Sequence, residues 1–384
     1  MKNKPVVILA IILAVLGSPQ AAAADGEIPQ QPVALCLPEI YSAASSGCQP
    51  LGPSSYLARM AQSGITLPLR ALPSRSPDPV LSELPYLYAR IKDREVPTYS
   101  SPADAVAGTN IRRYIEQGLN YVTYIDYMHY NGESFYMISP GEWVRQKDLT
   151  VNIVASPFLG LEFYGTPAND FGWVLYTVQS QTSPGGKAPV FTGKEYYKFD
   201  VIQVFETIEK DGVRWHMIGP DEWIEGRYAA LVYPAASPPE GVTNGRWIEM
   251  NLFEQTISVY QDNRMIYATL VSSGLPGWWT RPGLFQVYEK LESTLMTGSL
   301  EADRSDYYYL EDVPWTMYFD QKRAFHGAFW HNNFGFENSH GCANLSPGDS
   351  RWLFQWANLG DWVYVWDPSG QTPTDPALYT PGGA

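Results

Sequence analysis

Cysteine and histidine are scarce: the chain has three of the first and five of the second in 384 residues. Three thiols are too few for a disulfide-stapled scaffold, so apolar burial must hold the fold. Basic residues are in deficit. There are 26 Lys and Arg against 40 Asp and Glu, a net charge of −14. A surface that neutralises phosphates needs the opposite sign, which argues against nucleic acid as a partner. Long apolar runs are missing too. Residues 6–16 are apolar, but that run is shorter than the roughly 20 residues a spanning helix needs. No second stretch approaches that length, so no membrane contact is expected beyond this leading segment.

Aromatics, glycine and proline are abundant: 13 Trp, 26 Tyr, 15 Phe, 32 Gly and 31 Pro. That mixture favours short strands and turns over long helices, and a mainly β chain of two or three domains is expected. Lys2 and Lys4, the apolar run and Ala22-Ala23-Ala24 before Asp25 read as a secretory signal over 1–24. The alternative is an uncleaved anchor. Cleavage after Ala24 would leave 24 basic against 40 acidic residues. Export to the cell envelope, periplasm or cell wall is the inference. In that oxidising setting Cys36 and Cys48, close in sequence, are expected to pair and leave Cys342 as the odd thiol. The bland alternative is three free, inert thiols.

Residues 25–83 read as an N-terminal segment and linker, with a short helix over 54–62 and a proline-broken stretch over 72–80. The middle of the chain repeats itself. Residues 135–144 match 214–224, with Trp143 and Trp223 offset by 80. Asn131-Gly132 and Asp211-Gly212 precede the two copies as hairpin turns, with 121–125 and 201–205 as the incoming strands. Glu142 and Glu222 are expected to hold the turn before each Trp. This predicts two β-modules, 84–158 and 159–240. The pattern resembles SH3-type modules of bacterial envelope proteins. A Pro-rich stretch over 233–241 marks the next boundary. A third region, 245–367, opens with alternating strands at 247–252, 256–260 and 265–271. It continues through a helix capped by Ser346-Pro347 to a last strand at 362–366. A frayed tail over 368–384 is expected.

The chemistry concentrates in this third region. His326-Gly327 is followed by Ser339-His340-Gly341-Cys342-Ala343-Asn344, with twelve residues between His326 and Ser339. A thiol attacks as thiolate, and a nearby imidazole is the usual acceptor of its proton. Cys342 is therefore the candidate nucleophile and His326 the candidate general acid and base, with His340 as the alternative base. The Gly327 carbonyl is the candidate that orients the His326 ring. Ser339 and Gly341 shape a tight turn whose backbone N–H groups would face an oxyanion, and His340 would add a donor or position substrate. Trp278-Trp279 is either a core plug or an aromatic wall of the cleft, and Asn344 is a candidate substrate contact. His331 reads as a plain loop residue. Four zinc ligands (His326, His331, His340, Cys342) are the competing arrangement, but their spacing fits no compact finger and leaves the glycines unexplained. No metal or cofactor is expected.

These residues resemble the signature of the YkuD-type L,D-transpeptidase catalytic domain. That signature is a histidine followed at moderate distance by Ser/Thr-His-Gly-Cys and Asn or Arg. Upstream, Ser272-Ser273-Gly274 and Thr280-Arg281-Pro282-Gly283-Leu284-Phe285 resemble the family's strand and its Thr-Pro-x-Gly-x-Phe turn, with Arg281 displacing the proline. The resemblance implies attack on the bond after the L-centre of a diamino acid in a peptidoglycan tetrapeptide stem. It implies release of D-alanine, a thioester on Cys342, and transfer to an amine on a second stem or on a wall-attached protein. Water as acceptor would make the site an L,D-carboxypeptidase. Two further readings stay open: another type of envelope cysteine peptidase, and an inactive wall-binding protein.

Overall fold

The computed structural model describes residues 60–65, 71–186, 188–299 and 301–379. The expected signal segment, the Cys36–Cys48 pair and most of the 54–62 helix lie outside the described residues. The chain divides into two units, Met1–Gln62 and Ser63–Ala384. Among the described residues no helix is long and apolar enough to cross a membrane.

The second unit is built of β-sheet, as its composition predicts. Two seven-stranded sheets carry the region after residue 245. In the first, Arg246–Asn251 pairs antiparallel with Thr256–Gln261 and parallel with Trp362–Trp366. Thr256–Gln261 in turn pairs with Arg264–Leu270. These strands read correctly from sequence because their alternation places Ile248, Met250, Ile257, Val259, Val363 and Val365 in one buried cluster. In the second sheet, Glu289–Gly298 and Tyr308–Asp320 form a long hairpin. Arg323–Gly327 adds to the hairpin antiparallel, and Ala343–Leu345 adds parallel to that strand. Helix Pro347–Trp356 starts at Ser346, whose side chain accepts from the Asp349 N–H at 3.1 Å, and it buries Leu353 in the same cluster.

The repeat is structural. Tyr88–Ile91, Val96–Tyr99, Ile111–Ile115, Leu119–Thr123, Asp126–Tyr130, Glu133–Ser139, Glu142–Arg145 and Leu149–Val151 recur in order as Phe171–Val174, Val178–Gln181, Phe191–Tyr196, Val201–Gln203, Glu206–Lys210, Val213–Gly219, Glu222–Glu225 and Ala229–Val232. The pairings repeat as well. Glu142 and Glu222 are buried at the expected turns. Glu142 accepts from Arg113 Nε at 2.7 Å and Ser139 Oγ at 3.0 Å, and Glu222 accepts from Lys194 and Tyr196.

Three expectations are corrected. The strands entering the Asn131-Gly132 and Asp211-Gly212 turns are Asp126–Tyr130 and Glu206–Lys210. The apolar runs at 121–125 and 201–205 instead contribute Leu119–Thr123 and Val201–Gln203, which pair with other strands because their side chains are needed in the module cores. Next, the 72–80 linker and the start of the second module add strands to the first of the two seven-stranded sheets. Ser74–Arg75 pairs with Leu161–Phe163, which pairs with Arg264–Leu270. Finally, the tail is ordered to residue 379, where the buried Tyr379 ring sits 5.1 Å beneath the Arg323 guanidinium.

Candidate active site

Arg323–Gly327 ends at His326-Gly327, and its parallel neighbour Ala343–Leu345 sets His326 level with Asn344. The chain reaches that neighbour through a turn at Ser339–Cys342. Ser339 Oγ donates to the Cys342 carbonyl at 2.5 Å and accepts the Gly341 N–H at 3.1 Å. Gly341 has φ +118°, a conformation that L side chains rarely adopt. Its carbonyl accepts from Thr280 Oγ1 at 2.9 Å, and that hydroxyl also accepts the Gly274 N–H at 3.0 Å. The turn is thus clamped from inside by Ser339 and from outside by Thr280. The Gly341 N–H is consumed within the turn, so it is not the free oxyanion donor suggested by the sequence.

These elements enclose a cavity of about 370 Å³ lined by Cys342, His326, His340, Ser339, Asn344 and His331, with Asn333 and Asn338 beside them. An aliphatic wall of Leu119, Leu275, Met296 and Leu310 stands among the other lining residues. His340 is wedged in place. Its ring stacks on Trp278 at 4.2 Å, and its Nε2 lies 3.6 Å from Asp306 Oδ2. Trp278 therefore supports a lining residue without lining the cavity itself. Trp279 also lies outside the lining, and its carbonyl accepts from Arg323 Nε at 3.4 Å.

His331 is the residue that sequence reasoning undervalued. It is half-buried and shares the cavity with His326. Its Nδ1 accepts the Asn333 N–H at 3.1 Å, and its Nε2 lies 3.0 Å from the Asn344 side-chain amide. Because Nδ1 accepts, the ring proton of the neutral imidazole sits on Nε2, and Asn344 must turn its oxygen toward it. The Trp-His-Asn-Asn run offered no spacing signal for this contact, which depends on the Asn344 strand returning beside it.

The electrostatics of the pair are set by burial. Cys342 is 2% exposed, and desolvation pushes its thiol up to about 11, against opposing effects of the Ala324 backbone and the Arg323 charge. The thiol faces the Lys322 carbonyl at 3.8 Å. His326, also 2% exposed, is pushed down to about 3 by burial first and by His331 second. The Gly327 backbone favours its protonated form, yet Nδ1 has no partner in ordinary hydrogen-bond geometry. Burial thus favours a neutral thiol and a neutral imidazole lining one cavity. Among the described residues no group of three or more His, Cys, Asp or Glu is placed to hold a metal ion.

Residues 245–365 match the YkuD family, the L,D-transpeptidase catalytic domain, and this part of the chain is a domain of that family. Solved structures with similar segments include an L,D-transpeptidase (Yku) from Stackebrandtia nassauensis. It is 25% identical, the match covers 36% of this chain and 64% of that one, and the TM-score is 0.27. The catalytic domain of an E. faecium L,D-transpeptidase is 28% identical over 33% of this chain and 100% of that one, with a TM-score of 0.29. L,D-transpeptidase 3 from Mycobacterium tuberculosis, in complex with a faropenem-derived adduct, is 20% identical over 43% of this chain and 90% of that one, with a TM-score of 0.30. No curated protein matches the chain.

Proposed function

We propose that this chain is an exported peptidoglycan L,D-transpeptidase of the cell envelope that uses Cys342 as its nucleophile. The observation that carries the reading is the family match at 245–365 together with one cavity that gathers Cys342, His326, His340 and Asn344. The Cys342 sulfur attacks the carbonyl after the L-centre of the diamino acid in a tetrapeptide stem. Because thiol and imidazole both rest neutral, His326 takes the proton as the C–S bond forms. The tetrahedral oxyanion is met by the Cys342 backbone N–H and by His340, whose ring Trp278 holds in place. His326 then returns its proton to the leaving D-alanine amine, and the C–N bond breaks to leave a thioester. An amine from a second stem or from a wall-attached protein resolves the thioester through the same proton path in reverse. The two upstream modules are SH3-like envelope modules in this reading.

The test is intact-mass analysis of the full chain after exposure to a carbapenem. A single adduct is expected on wild type and none on Cys342→Ala, with D-alanine release from a tetrapeptide lost in the same variant. An adduct that persists in Cys342→Ala, or a wild type that neither acylates nor releases D-alanine, refutes the assignment.

A further inference from the structure

The first module reaches into the cleft. Its strand Leu119–Thr123 pairs in parallel with Tyr308–Asp320 of the long hairpin, setting Leu119 against Tyr308 and Tyr121 against Leu310. The catalytic sheet therefore runs on without a break into the module. The approach is closest at Gly118, where φ is +153° and a Cβ would lie 2.5 Å from the Tyr307 carbonyl oxygen. The Leu119 N–H donates to that same oxygen at 3.0 Å. Further along, the Thr123 N–H donates to Glu311 Oε2 at 3.0 Å, Thr123 Oγ1 to Asp312 Oδ2 at 2.8 Å, and Tyr88 Oη to the Asp312 carbonyl at 2.7 Å. Beneath the junction, Phe329 stacks on Tyr88 at 3.7 Å and meets Tyr121 edge-on at 5.5 Å. The second module repeats the topology without the contact. Among the described residues its counterpart strand Val201–Gln203 pairs with Phe171–Val174 alone.

Two consequences meet at one residue. The hairpin so held carries Tyr308 into the cavity wall and Asp306 beside His340. Leu119 itself, 37% exposed, turns its free surface to the cavity and joins Leu275, Met296 and Leu310. An exposed leucine on a cleft wall has area left to bury against a ligand.

We propose that Leu119 is a specificity-determining residue of the acyl-donor site, delivered by the first module, and that it packs on the side-chain methylenes of the donor's diamino acid. This rests on the transpeptidase reading of Cys342. The catalytic domain alone then has an incomplete site, since one residue of its aliphatic wall belongs to a neighbouring module. Gly118 is the positioning residue, because a side chain there would meet the Tyr307 carbonyl and push the two strands apart.

The test uses the full chain and two tetrapeptide donors, one with a diamino acid at the third position and one with alanine there. Leu119→Ala is expected to lower kcat/KM about tenfold on the first donor and less than twofold on the second, since an aliphatic wall discriminates by the methylenes it covers. Equal losses on both donors, or no loss on either, overturn the assignment while leaving the transpeptidase reading intact. A wild type that releases D-alanine from neither donor overturns that reading and Leu119's role with it. Gly118→Val provides an independent arm. Amide hydrogen exchange at 119–121 and 308–310 is expected to quicken at least tenfold, with turnover of both donors falling together. Unchanged exchange in a folded Gly118→Val chain overturns the docking claim.

Discussion

The neutral thiol–imidazole pair makes a quantitative prediction. With the Cys342 thiol pushed up from its ordinary 9.0 to about 11, the thiolate fraction at pH 7 is about 10⁻⁴. That is about a hundredfold below an unperturbed thiol. A more basic thiolate is also more nucleophilic, with a sensitivity of about 0.4–0.5 per pKa unit, which restores slightly under tenfold. Alkylation of Cys342 by iodoacetamide at pH 7 should therefore run about tenfold slower than that of an exposed cysteine, before any steric hindrance. His326, held near 3, has no proton to trade between pH 5 and 9 and cannot introduce a break. The assay is the pseudo-first-order rate from pH 6 to 10.5, read by mass spectrometry on the peptide containing residue 342. Log rate should rise with unit slope and no plateau below pH 10. His326→Ala should leave that slope unchanged while lowering D-alanine release by several orders of magnitude, because the imidazole acts during attack rather than before it. A plateau at neutral pH that vanishes in His326→Ala would establish a preformed ion pair and refute the argument from burial.

Two other outcomes follow from polar contacts around the site and the helix. His331→Leu should lower kcat/KM about tenfold by freeing Asn344, whereas His331→Gln, whose amide offers both an acceptor for the Asn333 N–H and a donor for Asn344, should retain most of it. Equal rates in the two variants would show that the contact does not position Asn344. Asp349, fully buried and bonded to Tyr267, Thr269 and the Gly160 N–H, has its carboxyl pushed up from 3.8 to about 6 by burial. The folded chain then keeps a proton that the unfolded chain releases, so this contribution is full below about pH 4 and is lost as pH rises through about 6, a span worth about 3 kcal/mol. Urea midpoints of wild type should fall more steeply over that range than those of Asp349→Asn, and parallel slopes would contradict the assignment.

What was legible in the sequence was local. Strands at 247–252 and 256–260 announced themselves by alternation, and the Ser339–Cys342 turn by a motif whose Ser339 hydroxyl bonds within it to Gly341 and Cys342. What was not legible depended on distant partners. The long hairpin has a weak pattern because many residues of Glu289–Gly298 are half-buried or exposed, and because Asp312 and Trp315 take positive φ, at +48° and +53°, which breaks the alternation of Tyr308–Asp320. Its neighbour, Leu119–Thr123, lies almost 190 residues earlier in the chain. The run at 121–125 was legible as strand but not as to its mate, since apolar content states that a residue is buried and not against what. His331 fails for the same reason, because its significance lies in Asn344.

The two modules began as one pattern and now do different work at the same place. A strand at a sheet edge presents unpaired N–H and C=O groups and has to be covered or blunted. In the first module the edge strand Leu119–Thr123 is covered by the hairpin, which joins that module's core to the cavity wall. The second module leaves the counterpart strand uncovered by that hairpin and anchors through its leading strand Leu161–Phe163 and through side chains. Glu254 accepts the Leu231 N–H at 2.9 Å and the Tyr233 hydroxyl at 2.8 Å and pairs with Arg214 at 3.1 Å, and Thr256 Oγ1 donates to the Leu231 carbonyl at 3.0 Å. Phe171 and Trp173 lie in one buried cluster with Trp247 and Tyr260, whose rings stack at 4.2 Å. Cutting the chain at residue 245 would therefore expose a tryptophan and a tyrosine that are fully buried in the intact fold and remove the Leu231, Tyr233 and Arg214 partners of Glu254. Burying such rings is worth about 1.5–3 kcal/mol each. Against the roughly 5–15 kcal/mol that keeps a domain folded, those losses are large enough that the modules act as walls of the catalytic domain and not as spacers before it.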